Sequence, residues 1–213
     1  IRRSHSLSVG NTGQPARDGW CWRKLTDIAR LESGHTPSRA RPEYWGGEVP
    51  WLSITDARKA HGGVASETEE TTNPLGLAHS AARELPPGTV CLSRTASVGY
   101  VTIMGRAMAT SQDFVNWVCT AELEPEFLRY LLLAENRDFR DLSSGSVHQT
   151  IYVPEAKAFY VCLPSVQEQR QVIRFLDDSF AELDRLEALI TKRARLLRSL
   201  TEAMVSALLE GAA

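Results

Sequence analysis

Short apolar runs separated by turn residues dominate the chain from Trp20 to about Pro164. "VPWLSI", "GTVCLS", "GYVTIM", "FVNWVC" and "FYVCL" are each five or six residues, rich in Val, Ile, Trp and Tyr, and bounded by Gly, Pro, Ser or Asp. That pattern predicts strands. Two helices are expected among them. "WRKLTDIARLES" (22–33) sets Leu25, Ile28 and Leu31 near helical spacing and stops at Gly34, a residue suited to the position after a helix. "PEFLRYLLLAENRDF" opens on Pro125 and places Leu128, Leu131 and Leu132 on one face,. Before these elements, residues 1–18 hold too few apolar side chains to pack and carry Gly10, Gly13 and Pro15, which predicts a mobile N-terminal tail.

The last third differs in kind. From Ser165 to Leu209 there is no proline or glycine, and strong helix formers prevail. Leu176, Leu183, Ile190, Leu197 and Met204 recur every seven residues, and Leu186 and Leu200 fall three after members of that row, with Arg193 and Ala207 at the equivalent places. This is a heptad pattern over about four repeats. A helix of about 44 residues is a rod of roughly 66 Å, too long to bury its stripe on one small domain, so a coiled-coil partner is expected. The expected fold is α+β: a mixed α/β globular domain over 19–164 and a long dimerisation helix over 165–211.

Composition narrows the function. No apolar stretch reaches the roughly 18 residues of a membrane span, and the opening residues lack the apolar middle of a secretory leader. Cys21, Cys91, Cys119 and Cys162 show no CxxC spacing, so neither a zinc site nor a disulfide framework is expected, and a cytoplasmic location follows as an expectation. The net charge is −2, yet residues 1–60 carry ten Lys/Arg against six Asp/Glu, while residues 61–142 carry six against eleven. Positive charge is concentrated near the start.

Catalytic patterns are missing. A nucleophile elbow needs G-x-S-x-G, but Ser97 lies in "TASVG" with Thr95 at the first glycine position,. His5, His35, His61, His79 and His148 form no metal-ligand pair, and there is neither a P-loop nor a dinucleotide fingerprint. Five loops are instead chemically alike, namely "SGHTPSRARPEYWGG" (33–47), "SITDARKAHGG" (53–63), "SRTASVG" (93–99), "ATSQDF" (109–114) and "SGSVHQT" (144–150). All carry hydroxyls or amides, four of them with glycine, and three add arginine. Such groups contact phosphates and base edges; the same residues also simply make turns.

Taken in order, "GWCWRKLTDIARLESGHTPSR", "VPWLSITDAR", "LPPGTVCLSRTASVGY", "ATSQDFVNW", "EFLRYLL" and "GSVHQTIYVPEAKAFYVCLPSVQEQRQVIRFLD" resemble the specificity subunit of a type I restriction-modification system. The resemblance runs from Gly19 to Gly211, and "LPSVQEQRQVI" is its most diagnostic part. It implies a non-catalytic target-recognition domain for one half of an interrupted double-stranded DNA site, and a spacer helix that packs antiparallel on a second. It also implies adenine methyltransferase partners that bind S-adenosylmethionine, and a translocase-nuclease subunit for cleavage. No cofactor is expected on this chain, which lacks the D/N-P-P-Y/F motif of an aminomethyltransferase.

Family members usually carry two recognition domains and two spacers, whereas this sequence has one of each. A homodimer, a mixed pair and a fragment of a longer chain all stay open. Phosphate contacts are expected from Arg39, Arg41, Arg58 and Lys59, and base or groove contacts from Ser93, Arg94, Ser97, Gln112, His148 and Gln149. Trp45 and Trp51 are read as core or rim residues, with stacking on an extruded base as the alternative. Two rival functions remain, a coiled-coil adaptor whose small domain binds protein or glycan, and a hydrolase depending on Ser97 or His148.

Overall fold

The computed structural model of the chain describes residues 7–10, 13, 15–135 and 150–210, with side chains through residue 206. It divides into two compact units, residues 1–170 and 171–213.

The described residues of the first unit form three sheets. One has the order β1–β11–β2, with β1 (Leu7–Val9) and β2 (Cys21–Lys24) antiparallel to β11 (Phe159–Leu163). The central sheet runs β3 (Ala29–Ser33), β10 (Phe114–Cys119), β7 (Val90–Ser93), β8 (Val101–Met104) and β5 (Val64–Ala65). Its pairs are antiparallel except for β5 on β8. The third sheet sets β4 (Trp45–Leu52) between antiparallel β6 (Glu70–Thr72) and parallel β9 (Ala109–Thr110). Trp117, Phe114, Phe159, Leu92, Met104 and Leu128 are among the largest fully buried side chains. The Trp117 and Phe159 rings stack with centroids 6.0 Å apart, joining the first sheet to the central one.

Five apolar runs form strands as their pattern predicts, and the Pro125 helix forms as α4 (Pro125–Ala134), burying Leu128, Leu131 and Leu132. The helix expected over 22–33 does not form. Only α1 (Leu25–Ile28) is helical there, because strand partners take the flanks: Cys21–Lys24 pairs with β11 and Ala29–Ser33 with β10. Tertiary pairing outweighs a weak local preference. Gly34 therefore caps no helix. A Cβ there would collide with the Ser111 carbonyl oxygen and Thr110 Oγ1, so glycine lets two backbones meet,.

The stretch read as a tail also contains structure. Leu7 is buried, Leu7–Val9 pairs with Phe159–Val161, and Gly10 N donates to Ala158 O at 2.7 Å. The Leu-Ser-Val alternation is long enough for three ladder positions, which the surrounding polar residues conceal. Between strands, "SITDARK" forms α2 (Ile54–Lys59) rather than an open loop. Its start is a capping box: Ser53 Oγ accepts from Asp56 N at 3.3 Å, and Asp56 Oδ2 accepts from Ser53 N at 3.0 Å,. Two further short helices, α3 (Pro74–Ala78) and α5 (Val153–Lys157), and a 3-10 turn at Pro42–Tyr44 also lie among the described residues of this unit.

Helix α6 (Val166–Glu210) begins within the first unit and makes up the second. Leu183, Leu186, Ile190, Leu197, Leu200 and Met204 are 45–69% exposed, so the heptad stripe is open in the single chain; Leu176 is half-buried. Phe175, Leu189 and Leu196 add a third apolar row, broader than a two-helix seam. Among the described residues no helix is long and apolar enough to cross a membrane.

Candidate nucleic-acid interface

An open cleft of about 500 Å³ lies beside the N-terminus of α2, lined among others by Thr36, Arg39, Trp51, Ser53, Gln112 and Asp113. The 33–47, 53–63 and 109–114 loops supply all of these side chains but Trp51, which lies on β4, and hydrogen bonds tie the first of these loops to β4 and to the last. His35 N donates to Thr110 O at 2.9 Å, Trp51 Nε1 to His35 O at 3.2 Å, and Trp45 Nε1 to Ser38 O at 3.3 Å. Thr36 Oγ1 donates to Gln112 Oε1, which places Gln112 at the cleft.

The 93–99 loop joins through Asp113. Arg94 N donates to Asp113 O at 2.7 Å, Thr95 Oγ1 donates to Asp113 Oδ1, and Ser111 Oγ donates to Asp113 Oδ2 at 3.1 Å. Ala96 has φ 59° and Gly99 φ 104°, so the loop folds back sharply,. Ser93 is fully buried: its Oγ donates to Ser97 O at 2.5 Å and accepts from Tyr100 N at 2.8 Å. It shapes the loop and faces no groove, which corrects its expected role as a contact. Its position as the last residue of β7 turns it inward. Ser97 and Arg94 are half-buried on the same loop. Arg94 Nε is buried without a hydrogen bond, and Arg94 O accepts from Ile151 N at 2.8 Å.

The expected phosphate-binding cations are already engaged. Arg39 makes a two-pronged pair with Glu70, one arm at 2.8 Å, and its guanidinium carbon lies 3.9 Å from the Trp45 ring centroid and 4.9 Å from that of Trp51. This hydrogen bonding holds the Glu70 carboxyl below the usual carboxylate range and raises the Arg39 guanidinium, against a smaller opposing effect of burial,. Lys59 pairs with Glu69, which raises the ammonium pKa in turn. Arg41 lies 3.6 Å from Glu43. Arg58 Nε donates to Tyr100 OH at 3.1 Å, and His61 Nδ1 accepts from Val101 N at 3.2 Å beside the same ring.

Trp51 is 4% exposed and packs edge-on against Trp45 with centroids 5.1 Å apart. It is a core residue, as is typical of a tryptophan in a central strand. Among the cleft residues that sequence reasoning missed are Glu69 and Glu70, for which the acidic run "ETEE" (67–70) was the available signal, and Asp113, which lay within the "ATSQDF" loop already singled out. His148 and Gln149 lie outside the described residues. No group of three or more His, Cys, Asp or Glu side chains suited to a metal occurs among the described residues. Burial pushes the Cys91 thiol up, and burial with Glu126 and Glu124 nearby pushes Cys119 up to about 12.

Solved chains with the same arrangement place the fold in a class. It matches, at TM-score 0.69 and 20% identity, a chain from work on the assembly and conformational transition of the type I R-M system, over 89% of this chain and 46% of that one. It matches the HsdS subunit from Thermoanaerobacter tengcongensis at TM-score 0.64 and 18% identity, over 83% and 41%. The sequence is more specific. The profile of the type I restriction modification DNA specificity domain matches residues 17–195, and the chain belongs to that family.

Among curated relatives, the type I restriction enzyme MjaIX specificity subunit of Methanocaldococcus jannaschii is 29% identical over 75% of this chain and 38% of its own length. The HindI specificity subunit of Haemophilus influenzae is 29% identical over 60% and 28%. The matches thus span well under half of these relatives. Membership in a family of specificity domains agrees with the expectation of a non-catalytic chain.

Proposed function

We propose that this chain reads one half of an interrupted DNA site and directs adenine methyltransferase subunits to it. One observation carries the reading: four of the five polar loops, dispersed over residues 33–114, meet around α2 and Asp113, as a single reading surface requires. Arg94, Ser97 and Gln112 are the candidates for base or groove contact on that surface, with His148 and Gln149 added from the sequence. Arg39, Arg41, Arg58 and Lys59 are the candidates for phosphate, Arg39 and Lys59 subject to their carboxylate partners. S-adenosylmethionine belongs to the partner methyltransferase in this reading. A translocase-nuclease subunit joins for cleavage, and the complex works in the cytoplasm.

The exposed heptad stripe supports pairing with a second spacer helix, from another copy or from a different half. A genome-wide map of methylated adenines, with the gene intact and disrupted, tests the proposal. Loss of one interrupted motif is the expected result, and an unchanged map in a cell with an active system would refute it. Two-fold symmetry in the lost motif would indicate a homodimer, because an isologous pair presents one surface twice. Unlike halves would indicate a mixed pair.

A further inference from the structure

Two of the four expected phosphate contacts are covered by neighbouring residues of one short segment. Glu69 pairs with Lys59 and Glu70 with Arg39. The covering is built into the fold. Trp51 N donates to Thr68 Oγ1 at 3.2 Å, Thr68 Oγ1 donates to Glu70 O at 2.6 Å, and Glu69 N donates to Asp56 Oδ1 at 3.0 Å. Asp56 is itself buried and is the residue that closes the α2 capping box. One carboxylate thus fixes both the helix that carries Lys59 and the segment that neutralises it.

We infer that residues 67–70 are an internal competitor for DNA phosphate, in which Glu69 and Glu70 occupy Lys59 and Arg39 and so make specificity depend on base contacts. The inference rests on the DNA-reading proposal above. Sequence-independent affinity comes from cations that release counterions at phosphates, about 0.9 in the salt slope for each. A cation held by a carboxylate releases little, and an approaching duplex must break that pair and then face the freed carboxylate. Base contacts at the correct site offset this cost; a random sequence has none to offer. Removing the two carboxylates should therefore strengthen binding to random DNA more than to the target, and lower the specificity ratio.

The test uses the full chain, a short random-sequence duplex and a titration over a range of potassium chloride concentrations. E69Q/E70Q should steepen the plot of log affinity against log salt by about 0.9 for each uncovered cation, so that fourfold dilution of salt strengthens binding about 3.5-fold more per cation than in wild type. Lys59→Ala separates this from a general change of net charge: it should flatten the slope by about 0.9 in the E69Q background and hardly alter it in wild type. Both side chains of that pair are exposed, so folding is undisturbed. Superimposable slopes, with measurable wild-type binding, would overturn the inference and leave the DNA reading intact. Absence of salt-sensitive binding in every variant would overturn both.

Discussion

The side chain of Gln169 is bonded to the backbone at Glu124: Oε1 accepts from Glu124 N at 2.9 Å, while Nε2 donates to Glu122 O at 3.0 Å and to Pro164 O at 3.1 Å. Gln169 is fully buried. Around it, Trp20 Nε1 donates to Glu168 Oε1 at 3.0 Å and Arg170 Nε to Glu124 Oε1 at 2.7 Å. The first turn of α6 is thereby part of the globular unit. This gives the diagnostic segment "LPSVQEQRQVI" a physical role, since only an amide supplies both an acceptor for one N–H and two donors for two carbonyls.

Gln169→Ala should cost about 3 kcal/mol of stability, because it leaves buried polar groups unpaired as well as losing bonds. Gln169→Glu keeps the acceptor but turns a carboxylate toward two carbonyl oxygens. Its folded-state pKa is then raised, so it should be at least as unstable as the alanine variant near neutral pH and regain stability as pH falls. Urea unfolding at two pH values checks both statements. Equal stability of Gln169→Ala and wild type would deny the anchor.

Two glycines separate steric from conformational cost. Gly34 sits against the Ser111 carbonyl and Thr110, whereas Gly46 has φ +76° and open space around its absent Cβ. Gly34→Ala should cost about 3 kcal/mol, by forcing the 33–47 loop from its neighbour. Gly46→Ala, at an irregularity in the pairing of β4, should cost about 1 kcal/mol,. Thermal melts of both variants test the order, and a reversed order would contradict the close approach.

These residues also show what was legible in the sequence. Strands such as "FVNWVC" and the α6 heptads were readable because their apolar spacing is local and repeated. The 22–33 segment misled because its three apolar residues fit a helix, while the partner strands that claim its ends lie some 85 and 140 residues away in the chain. The loops were recognisable as chemically alike, but their meeting at Asp113 depends on long-range backbone bonds. Ser93 and Arg94 are adjacent and equally polar. Ser93 ends a strand buried along its whole length and Arg94 begins the loop beyond it, so the difference depends on where the strand stops, which the sheet pairing sets.

Arg94→Ala should weaken binding to the target by about 1–3 kcal/mol and relax preference at one base position, if it holds a guanine by two bonds. Its main chain is fixed by Asp113 and Ile151, and its Nε has no hydrogen bond to lose. The variant should therefore fold like wild type. A binding titration against single-base variants of the mapped site checks this; unchanged affinity and preference would remove Arg94 from the reading surface.

The Arg39–Glu70 pair makes a small, pH-limited contribution to stability. Glu70 is held below its ordinary pKa, so its share is present above the unfolded carboxylate value, about 4.3, and is lost as pH falls through the lower folded value,. Both side chains are more than a third exposed, so solvent screens most of the effect,. The melting difference between wild type and Arg39→Ala should keep only its stacking component in strong acid. A difference that grows on acidification would contradict the sign.

Helix length sets the final expectation. If α6 pairs antiparallel with a second spacer and each carries a recognition domain, the distance between half-sites follows the length of the rod. Removing residues 183–189 takes out one heptad, keeps the apolar rows in phase, and shortens the rod by about 10.5 Å. At about 3.4 Å per base pair that is close to three base pairs of unread DNA. The methylated motif in cells carrying the deletion should keep its two halves and lose about three bases from the gap. The seam survives, because Leu176, Ile190, Leu197 and Met204 remain in one row,. An unchanged gap with methylation retained would show that the helix clamps its partner without measuring the site.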